Sequence, residues 1–232
     1  MVKMPTLREM LDAGVHFGHK TARRHPKMEE YIFMAKNGVN VINLEKTAEK
    51  LEEACNFLKT LSSESKTIVF VGTKKQASAI VKKAAINCGM PYVDFRWVGG
   101  TLTNFDTIKV AIGGFVAQKE EIERDKEKLS KKELSKLTDK VEKGEKLFGG
   151  IVNLTKKPDA FILIGSHDEK NALKEAIIDK IPVVALVDTN DDPTDVTYPI
   201  PANDDATKSI ELFADLFSRV IKENKMLAKS KE

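Results

Sequence analysis

The residues best suited to binding chemistry lie together at positions 96–105, which read Arg-Trp-Val-Gly-Gly-Thr-Leu-Thr-Asn-Phe. A predicted strand precedes them and a long predicted helix follows, which is where an α/β protein presents a binding surface. Arg96 and Trp97, the only tryptophan, could stack on an unpaired base. The alternative is burial at the root of the following helices, which we expect for Trp97 but not for Arg96. Gly99 and Gly100 fit a tight turn or a close approach to nucleic acid.

A basic segment near the N-terminus suits phosphate binding. Residues 15–28 contain no acidic side chain and four lysines or arginines, namely Lys20, Arg23, Arg24 and Lys27. Arginine contacts phosphate through two parallel hydrogen bonds and also stacks on bases. Because Pro26 prevents a helix there, we interpret the segment as an irregular basic loop that contacts nucleic acid. A solvated loop without a partner is the alternative.

A third candidate is the turn Gly-Thr-Lys-Lys at residues 72–75, between a predicted strand and a predicted helix. Free N–H groups at a helix start bind anions, and Lys74 and Lys75 add positive charge. The turn lacks the glycine spacing of a P-loop and of a dinucleotide-binding fold. Two readings stay open, an RNA phosphate contact and a solvated surface.

Histidines and aspartates provide the side chains of a metal site. His16 and His19 are three residues apart, and acidic residues follow the last predicted strand. These are Asp188, Asp191, Asp192, Asp204 and Asp205. One histidine and two aspartates could hold Zn²⁺ or Mg²⁺ and tie the N-terminal segment to the sheet. The alternative is that Asp204 or Asp205 caps a helix and that the other residues are structural. We expect no cofactor to be required.

Catalysis is poorly supported by the sequence. No Ser-His-Asp order lies on a nucleophile elbow, and Asp-rich turns without a substrate-binding loop do not make an acid/base pair. We therefore expect a binding protein and not an enzyme. The runner-up interpretation is a Rossmann-like enzyme that binds a nucleotide or another phosphorylated small molecule at residues 72–75 and 165–168, since both turns follow strand ends.

Strands that alternate with helices predict the element order that positions these residues. The predicted strands are residues 39–43, 67–71, 92–95, 160–164 and 183–187. Capping boxes at Thr6, Thr73, Ser130 and Ser166 predict helix starts. The pattern indicates a Rossmann- or flavodoxin-like three-layer α/β/α domain with a parallel sheet.

A highly charged insertion interrupts this alternation. From residue 118 to 146, 19 of 29 residues are charged, ten of them basic and nine acidic. Apolar residues still form a stripe, at Phe115, Ile122, Leu129, Leu134, Leu137, Val141 and Phe148. With a new helix start at Ser130, the stripe predicts an antiparallel coiled-coil hairpin, with one long solvated helix as the alternative. We assign residues 105–148 to the hairpin, and residues 1–104 and 149–232 to the sheet domain. The N-terminal part of this domain, residues 1–36, is basic and includes the basic segment at residues 15–28.

Composition narrows the class of protein. Of 232 residues, 41% are hydrophobic, which is enough for a core, and the net charge is only +3. The charges are unevenly spread, because residues 1–36 carry seven Lys or Arg against four acids, whereas residues 182–205 carry six Asp and no Lys or Arg. Such a molecule has a basic side for phosphates. Two isolated cysteines and no apolar run of membrane length favour the cytosol, with an organelle matrix as the alternative.

Residues 96–105 and three more blocks together resemble a known family. The other blocks are His-Phe-Gly-His at 16–19, Phe-Val-Gly-Thr-Lys-Lys-Gln-Ala at 70–77, and residues 188–190 with 198–206. In this order they resemble the bacterial-type ribosomal protein S-two family, over about residues 4–224.

The resemblance implies a structural constituent of the small ribosomal subunit that holds ribosomal RNA between head and body. Its partners would be small-subunit RNA, neighbouring ribosomal proteins and, in bacteria that have it, the RNA-binding protein S-one, with no membrane and no small-molecule substrate. The RNA contacts that it implies are Lys20, Arg23, Arg24, Lys27, Lys74, Lys75, Arg96, Thr101, Thr103 and Asn104.

Overall fold

The computed structural model describes residues 2–125 and 130–229. In chain order its strands are β1 (Phe17–Lys20), β2 (Ile32–Lys36), β3 (Val39–Ile42), β4 (Ile68–Val71), β5 (Tyr92–Val93), β6 (Ala160–Ile164), β7 (Val183–Val187) and β8 (Tyr198–Pro201). Its α-helices are α1 (Leu7–Asp12), α2 (Leu44–Ser63), α3 (Ser78–Cys88), α4 (Phe105–Asp125), α5 (Lys131–Phe148), α6 (Lys170–Ile178) and α7 (Thr207–Lys229). Short 3-10 helices, Thr21–Arg23 and Pro26–Tyr31, lie between β1 and β2.

A five-stranded parallel sheet with the order β5-β4-β6-β7-β8 forms the centre of the fold. Every residue of β6 and β7 is buried, as expected for strands covered on both faces. Ile68 and Phe70 join a core with α2, α3 and α7, whereas Val69 and Val71 join a core with α4 and α6. The three-layer α/β/α fold expected from the sequence is therefore confirmed.

A small antiparallel sheet, β1-β3-β2, was not expected from the sequence. Residues 39–42 form a strand, but this strand belongs to the small sheet and not to the parallel one. The fifth parallel strand is instead Tyr198–Pro201, whose two prolines weaken a strand signal and suit the edge position that it takes. The assignment of the first predicted strand to the parallel sheet was wrong.

The basic segment is also more regular than an irregular loop. Its first part is β1, which pairs with β3 through Phe17 and Val41. Pro26 does prevent an α-helix, but it begins the second 3-10 helix, a position where a missing N–H costs little. The segment is thus held on the small sheet by its backbone.

Two of the four predicted capping boxes are confirmed, at Thr6 and Ser130. The boxes at Thr73 and Ser166 were wrong, because α3 begins at Ser78 and α6 begins at Lys170. Both residues serve tertiary contacts instead. The Thr73 N–H donates to the Glu169 carboxylate, and the Ser166 hydroxyl donates to Asp191.

The last helix also starts later than expected, at Thr207. Neither Asp204 nor Asp205 caps it. The side-chain oxygen of Asn203 instead accepts the N–H groups of Asp205 and Ala206, which leaves both carboxylates free for other contacts.

The charged insertion forms two helices, α4 and α5, that pack side by side. Gly144 lies directly against the Phe115 ring, and the Lys119 ammonium lies 3.1 Å from the Glu145 carboxylate. Only five residues separate the end of α4 from the start of α5, too few to run back along the length of either helix, so the hairpin is antiparallel. Leu129 of the predicted stripe lies outside the described residues. The domain division at 104 and 149 stays a prediction.

Candidate nucleic-acid interface

The loops that carry the candidate residues lie at one edge of the parallel sheet, where its strands end. Residues 72–77 follow β4, residues 94–104 follow β5, Asp188 follows β7 and residues 202–206 follow β8. The strand order places the point where the winding direction reverses between β4 and β6. Ligands of open α/β sheets bind at such a point.

The basic segment is anchored to this edge by Thr189. The His19 N–H donates to the Thr189 hydroxyl at 2.8 Å, and the His25 N–H donates to the Thr189 carbonyl at 2.8 Å. Gly18 allows this approach, because a Cβ at that position would lie 2.5 Å from the Thr189 methyl. The sheet edge therefore fixes the position of residues 18–25.

Lys20, Arg23, Arg24 and Lys27 are all exposed on this anchored segment. Among the described residues, Lys20 and Arg23 have no acidic partner within ion-pair distance. Arg24 lies 3.7 Å from Glu29, a distance that fits a weak surface pair. The segment thus presents cations that are not neutralised within the protein.

Lys27 differs from its basic neighbours because it has short contacts. Its ammonium donates to the Thr194 hydroxyl at 2.6 Å and lies 3.1 Å from the Asp192 carboxylate. Hydrogen bonds from Thr194, together with Lys27, lower the pKa of Asp192 to about 2. A phosphate would have to compete with Asp192 for Lys27.

Glu175 organises the loop at residues 97–103. Its carboxylate is 8% exposed and accepts the indole N–H of Trp97 at 2.9 Å. It also accepts the backbone N–H groups of Gly100 at 2.8 Å, Leu102 at 2.9 Å and Thr103 at 3.2 Å. Burial raises the pKa of Glu175, but the hydrogen bonds from Trp97 and the backbone outweigh it and lower the pKa overall. A single carboxylate therefore holds the loop in one shape.

Trp97 is buried, as expected, and its ring meets the Phe161 ring edge-on with 5.7 Å between centroids. Arg96 is exposed. Thr101 is 3% exposed and its hydroxyl donates to the Val98 carbonyl, while the Thr103 hydroxyl lies 3.3 Å from Glu175. Thr101 therefore shapes the loop from within. Of the residues implied for RNA contact in this loop, Arg96, Thr103 and Asn104 are exposed.

Lys74 points into the protein and not toward a ligand. Its ammonium lies 2.7 Å from Asp204, 3.0 Å from Asp168 and 3.0 Å from Asp205, and its side chain is only 12% exposed. Burial lowers the pKa of Lys74, but the Asp204 carboxylate and the other two aspartates raise it overall. Three carboxylates surround this lysine, so a phosphate would have to compete with them, and its predicted contact with RNA stays a prediction. Lys75 is exposed beside it.

Two N–H groups of the turn at residues 72–75 are already used within the protein. The Gly72 N–H donates to the Val93 carbonyl, and the Thr73 N–H donates to Glu169, which is 2% exposed. The helix start is displaced to Ser78. A phosphate at this turn would have to compete with the Glu169 carboxylate for the Thr73 N–H.

Three of the proposed metal ligands come together. The Nδ1 atom of His19 lies 3.1 Å from Asp188, its Nε2 atom lies 3.5 Å from Asp205, and one ligand atom from each residue falls within 4.8 Å of the others. The Asp188 carboxylate, which accepts a hydrogen bond from the imidazole, raises the pKa of His19. One imidazole and two carboxylates form a donor set that suits Zn²⁺.

Two of the other proposed ligands, His16 and Asp204, have different contacts. His16 lies beside Phe17, with ring centroids 4.0 Å apart, and burial lowers the pKa of its imidazole. Asp204 is engaged by Lys74 at 2.7 Å, and burial raises the pKa of its carboxyl to about 7. Geometry therefore brings three of the proposed ligands into one cluster and gives His16 and Asp204 other partners.

Sequence reasoning missed Glu175 and Thr189, the two residues that position the interface. Glu175 had a signal, since it lies among Ala172, Leu173 and Ala176 on the buried face of α6. An acid on an apolar helix face needs buried donors. Thr189 had none, because a threonine after a strand is ordinary.

Comparisons with known proteins agree over nearly the whole chain. A family model described as Ribosomal protein S2 matches residues 10–224. The small ribosomal subunit protein uS2 of Dictyoglomus thermophilum is 47% identical over 223 residues, covering 95% of this chain and 90% of that protein. The proteins of the same name from Campylobacter hominis and Wolinella succinogenes are 46% and 45% identical; the matches cover 97% and 99% of this chain and 84% and 85% of those proteins.

Proposed function

The chain belongs to the ribosomal protein S2 family, and from this premise we propose that it binds small-subunit ribosomal RNA between head and body. The family is one of structural ribosomal proteins and not of enzymes. The observation that carries the proposal is the exposed basic segment, which Thr189 fixes at the edge of the sheet. A fixed array of cations suits a folded RNA surface, because little conformational freedom is lost on binding.

The mechanism that we propose is phosphate neutralisation by a rigid surface. Lys20 and Arg23 supply cations without acidic partners among the described residues. Arg24 would leave a weak pair with Glu29, and Lys27 would have to leave its short contacts with Asp192 and Thr194. Lys75, Arg96 and Asn104 extend the surface along the same edge. Each phosphate contact steepens the salt dependence of binding by roughly 0.7–0.9 logarithmic units per logarithmic unit of salt.

The hairpin has a different task in this proposal. Its charges are nearly balanced between residues 118 and 146, so it contributes little net attraction to phosphates. We assign it to contacts that depend on shape, with RNA or with neighbouring ribosomal proteins. Support for recruitment of the protein S-one belongs to the same proposal, as does a location in ribosomes of the bacterial cytoplasm. None of the described helices is long and apolar enough to cross a lipid bilayer.

The enzymatic alternative lacks a site in the described residues. Its two turns meet at the sheet edge, but Lys74 is neutralised there by three aspartates and Glu169 accepts the Thr73 N–H. A phosphorylated small molecule would have to displace these internal contacts. The geometry therefore favours a binding protein.

We further propose that His19, Asp188 and Asp205 hold a divalent cation, with Zn²⁺ favoured over Mg²⁺ by the imidazole ligand. The ion would join β1 to the ends of β7 and β8 and so strengthen the anchor of the basic segment. Metal analysis of the purified protein should find about one equivalent, and Asp205→Asn should reduce it. Equal metal content in both proteins would exclude this site.

The experiment for the main proposal is sedimentation of the tagged protein from cell lysate on a sucrose gradient, with and without ribonuclease. Comigration with the small subunit that is lost on RNA digestion is the expected result. A protein at the top of both gradients would contradict the proposal.

A further inference from the structure

A cleft of about 550 Å³ lies beside the loop that Glu175 holds, next to the point where the winding of the sheet reverses. The volume falls in the range of pockets that hold small organic groups. Side chains from three places line the cleft. They are Thr73 after β4, Phe95 and Arg96 after β5, Asp168 just before α6, and Asn171 and Lys174 in α6.

Phe95 lines this cleft with an aromatic ring that is largely exposed and does not belong to the hydrophobic core. Its ring is 55% exposed, whereas Trp97 two residues later is buried in the core. A single exposed apolar residue is ordinary on a protein surface. This ring, however, lies at a cleft and next to the exposed guanidinium of Arg96. An aromatic ring beside a cation is the arrangement on which proteins stack bases of single-stranded nucleic acid.

The polar groups of the cleft match a base better than a free nucleotide. The Thr73 hydroxyl, the Asn171 amide and the Asp168 carboxylate offer both donors and acceptors for the edge of a base. A phosphate in the interior would meet the carboxylates of Asp168 and Glu169, and Glu169 already accepts the Thr73 N–H. The exposed cations, Arg96 and Lys174, flank the cleft. A ligand that inserts its base and leaves its phosphates outside is a nucleotide within a polymer.

The loop that presents Phe95 is held at its far side. Glu175 binds the indole of Trp97 and three backbone N–H groups between Gly100 and Thr103. Phe95 therefore extends from a segment with little freedom, and a base that stacks on it does not have to order the loop.

We propose that this cleft holds one unpaired base of the ribosomal RNA, stacked on the ring of Phe95, with Arg96 and Lys174 on the flanking phosphates. This inference rests on the proposed function and adds to it a site that binds a base by stacking, a contact that itself neutralises no phosphate.

The test measures binding of the full chain to small-subunit particles that lack this protein, at several salt concentrations. Phe95→Ala should weaken binding about 5- to 150-fold, the range for loss of one base stack. The salt slope should not change, because a phenyl ring neutralises no phosphate. Phe95→Trp should bind like the wild type. Phe33→Ala, which removes an exposed ring from β2, is the matched control and should leave the affinity unchanged.

Arg96→Ala should weaken binding and also reduce the salt slope by roughly 0.7–0.9. Wild-type affinity for Phe95→Ala, or equal losses for Phe95→Ala and Phe95→Trp, would overturn the stacking proposal while leaving RNA binding by the protein intact. Failure of the wild-type protein to bind the particles would overturn the proposed function instead. As a second readout, benzoylphenylalanine at position 95 should crosslink to RNA, and crosslinks to protein alone would refute the site.

Discussion

The indole N–H of Trp97 donates to the buried carboxylate of Glu175 across 78 positions of sequence, at 2.9 Å. The same carboxylate accepts the backbone N–H groups of Gly100, Leu102 and Thr103. The conformation of the most distinctive loop in the chain therefore depends on one side chain of α6. A buried carboxylate can in this way determine how Arg96 is presented.

Replacement of this carboxylate should destabilise the protein. Glu175→Gln keeps the size of the side chain but turns an amide N–H₂ toward buried donors, so we expect a loss of about 2–4 kcal/mol in the free energy of unfolding. Urea unfolding followed by the fluorescence of Trp97 measures the change. Glu211→Gln on the exposed face of α7 is the control and should change stability little. Equal stabilities for the two variants would contradict the central place of Glu175.

Acid should weaken the folded state through the same group. The pKa of Glu175 is lowered in the fold, because hydrogen bonds from Trp97 and the backbone outweigh burial. Its contribution to stability is therefore present above the ordinary pKa of 4.5 and is lost as the pH falls through the folded value. The unfolding free energy of Glu175→Gln should decline less steeply than that of the wild type below about pH 4.5. Parallel curves for the two proteins would show that Glu175 titrates normally.

A methyl group at position 18 should displace the basic segment. The added carbon of Gly18→Ala would lie 2.5 Å from the methyl and 2.7 Å from the hydroxyl of Thr189, which is fully buried and cannot easily turn away. We expect a loss of about 1–3 kcal/mol and faster amide exchange at His19 and His25. Gly113→Ala in α4, where a methyl meets open space, is the control. Protected His19 and His25 amides in Gly18→Ala would argue against the Thr189 anchor.

Lys74 and Lys75 are neighbours in sequence, but replacing one should affect stability and replacing the other should affect binding. Lys74→Ala leaves Asp204 buried without its cation, and we expect a loss of about 3–5 kcal/mol in stability. Lys75→Ala removes an exposed side chain and should leave stability unchanged, but it should reduce the salt slope of binding to small-subunit particles by roughly 0.7–0.9. Thermal unfolding and binding titrations separate the two effects. The interpretation fails if Lys75→Ala is the less stable variant.

The basic segment should account for much of the salt dependence. Lys20→Ala combined with Arg23→Ala removes two cations without acidic partners, so the salt slope should fall by roughly 1.4–1.8. Arg219→Ala with Lys222→Ala removes the same charge from a part of α7 that is more than ten residues beyond the sheet edge, and should leave the slope near the wild-type value. Equal reductions in both double variants would mean that net charge, and not this surface, drives binding.

Strands that are buried on both faces were predictable from the sequence, because a short uninterrupted apolar run is typical of a strand covered on both faces. Residues 160–164 and 183–187 match β6 and β7 at both ends. Tyr198–Pro201 was missed, since two prolines in four residues argue against a strand, and only its pairing with β7 shows that an edge tolerates them. Local pattern thus identified the central strands but not the edge strand.

For the candidate site, the sequence likewise predicted some features and not others. Exposed cations such as Lys20 and Arg96 follow from charge pattern, but Lys74 has the same signal and is buried among three aspartates from distant positions. The metal candidates behave likewise, because His19 meets Asp188 and Asp205 whereas His16 turns toward Phe17. Which of two similar side chains faces inward depends on contacts over more than 100 positions, and a single sequence does not contain them.

The anchor between His19 and Thr189 spans 170 positions, and this separation has a consequence for synthesis. The basic residues are translated well before the sheet edge that holds them. At about 5–20 residues per second, roughly 10–30 s pass between the two. A nascent chain therefore carries its cations on an unanchored segment until Thr189 has been made, and the rigid docking surface forms only after that point. The order of synthesis in this way delays the chain's competence for assembly.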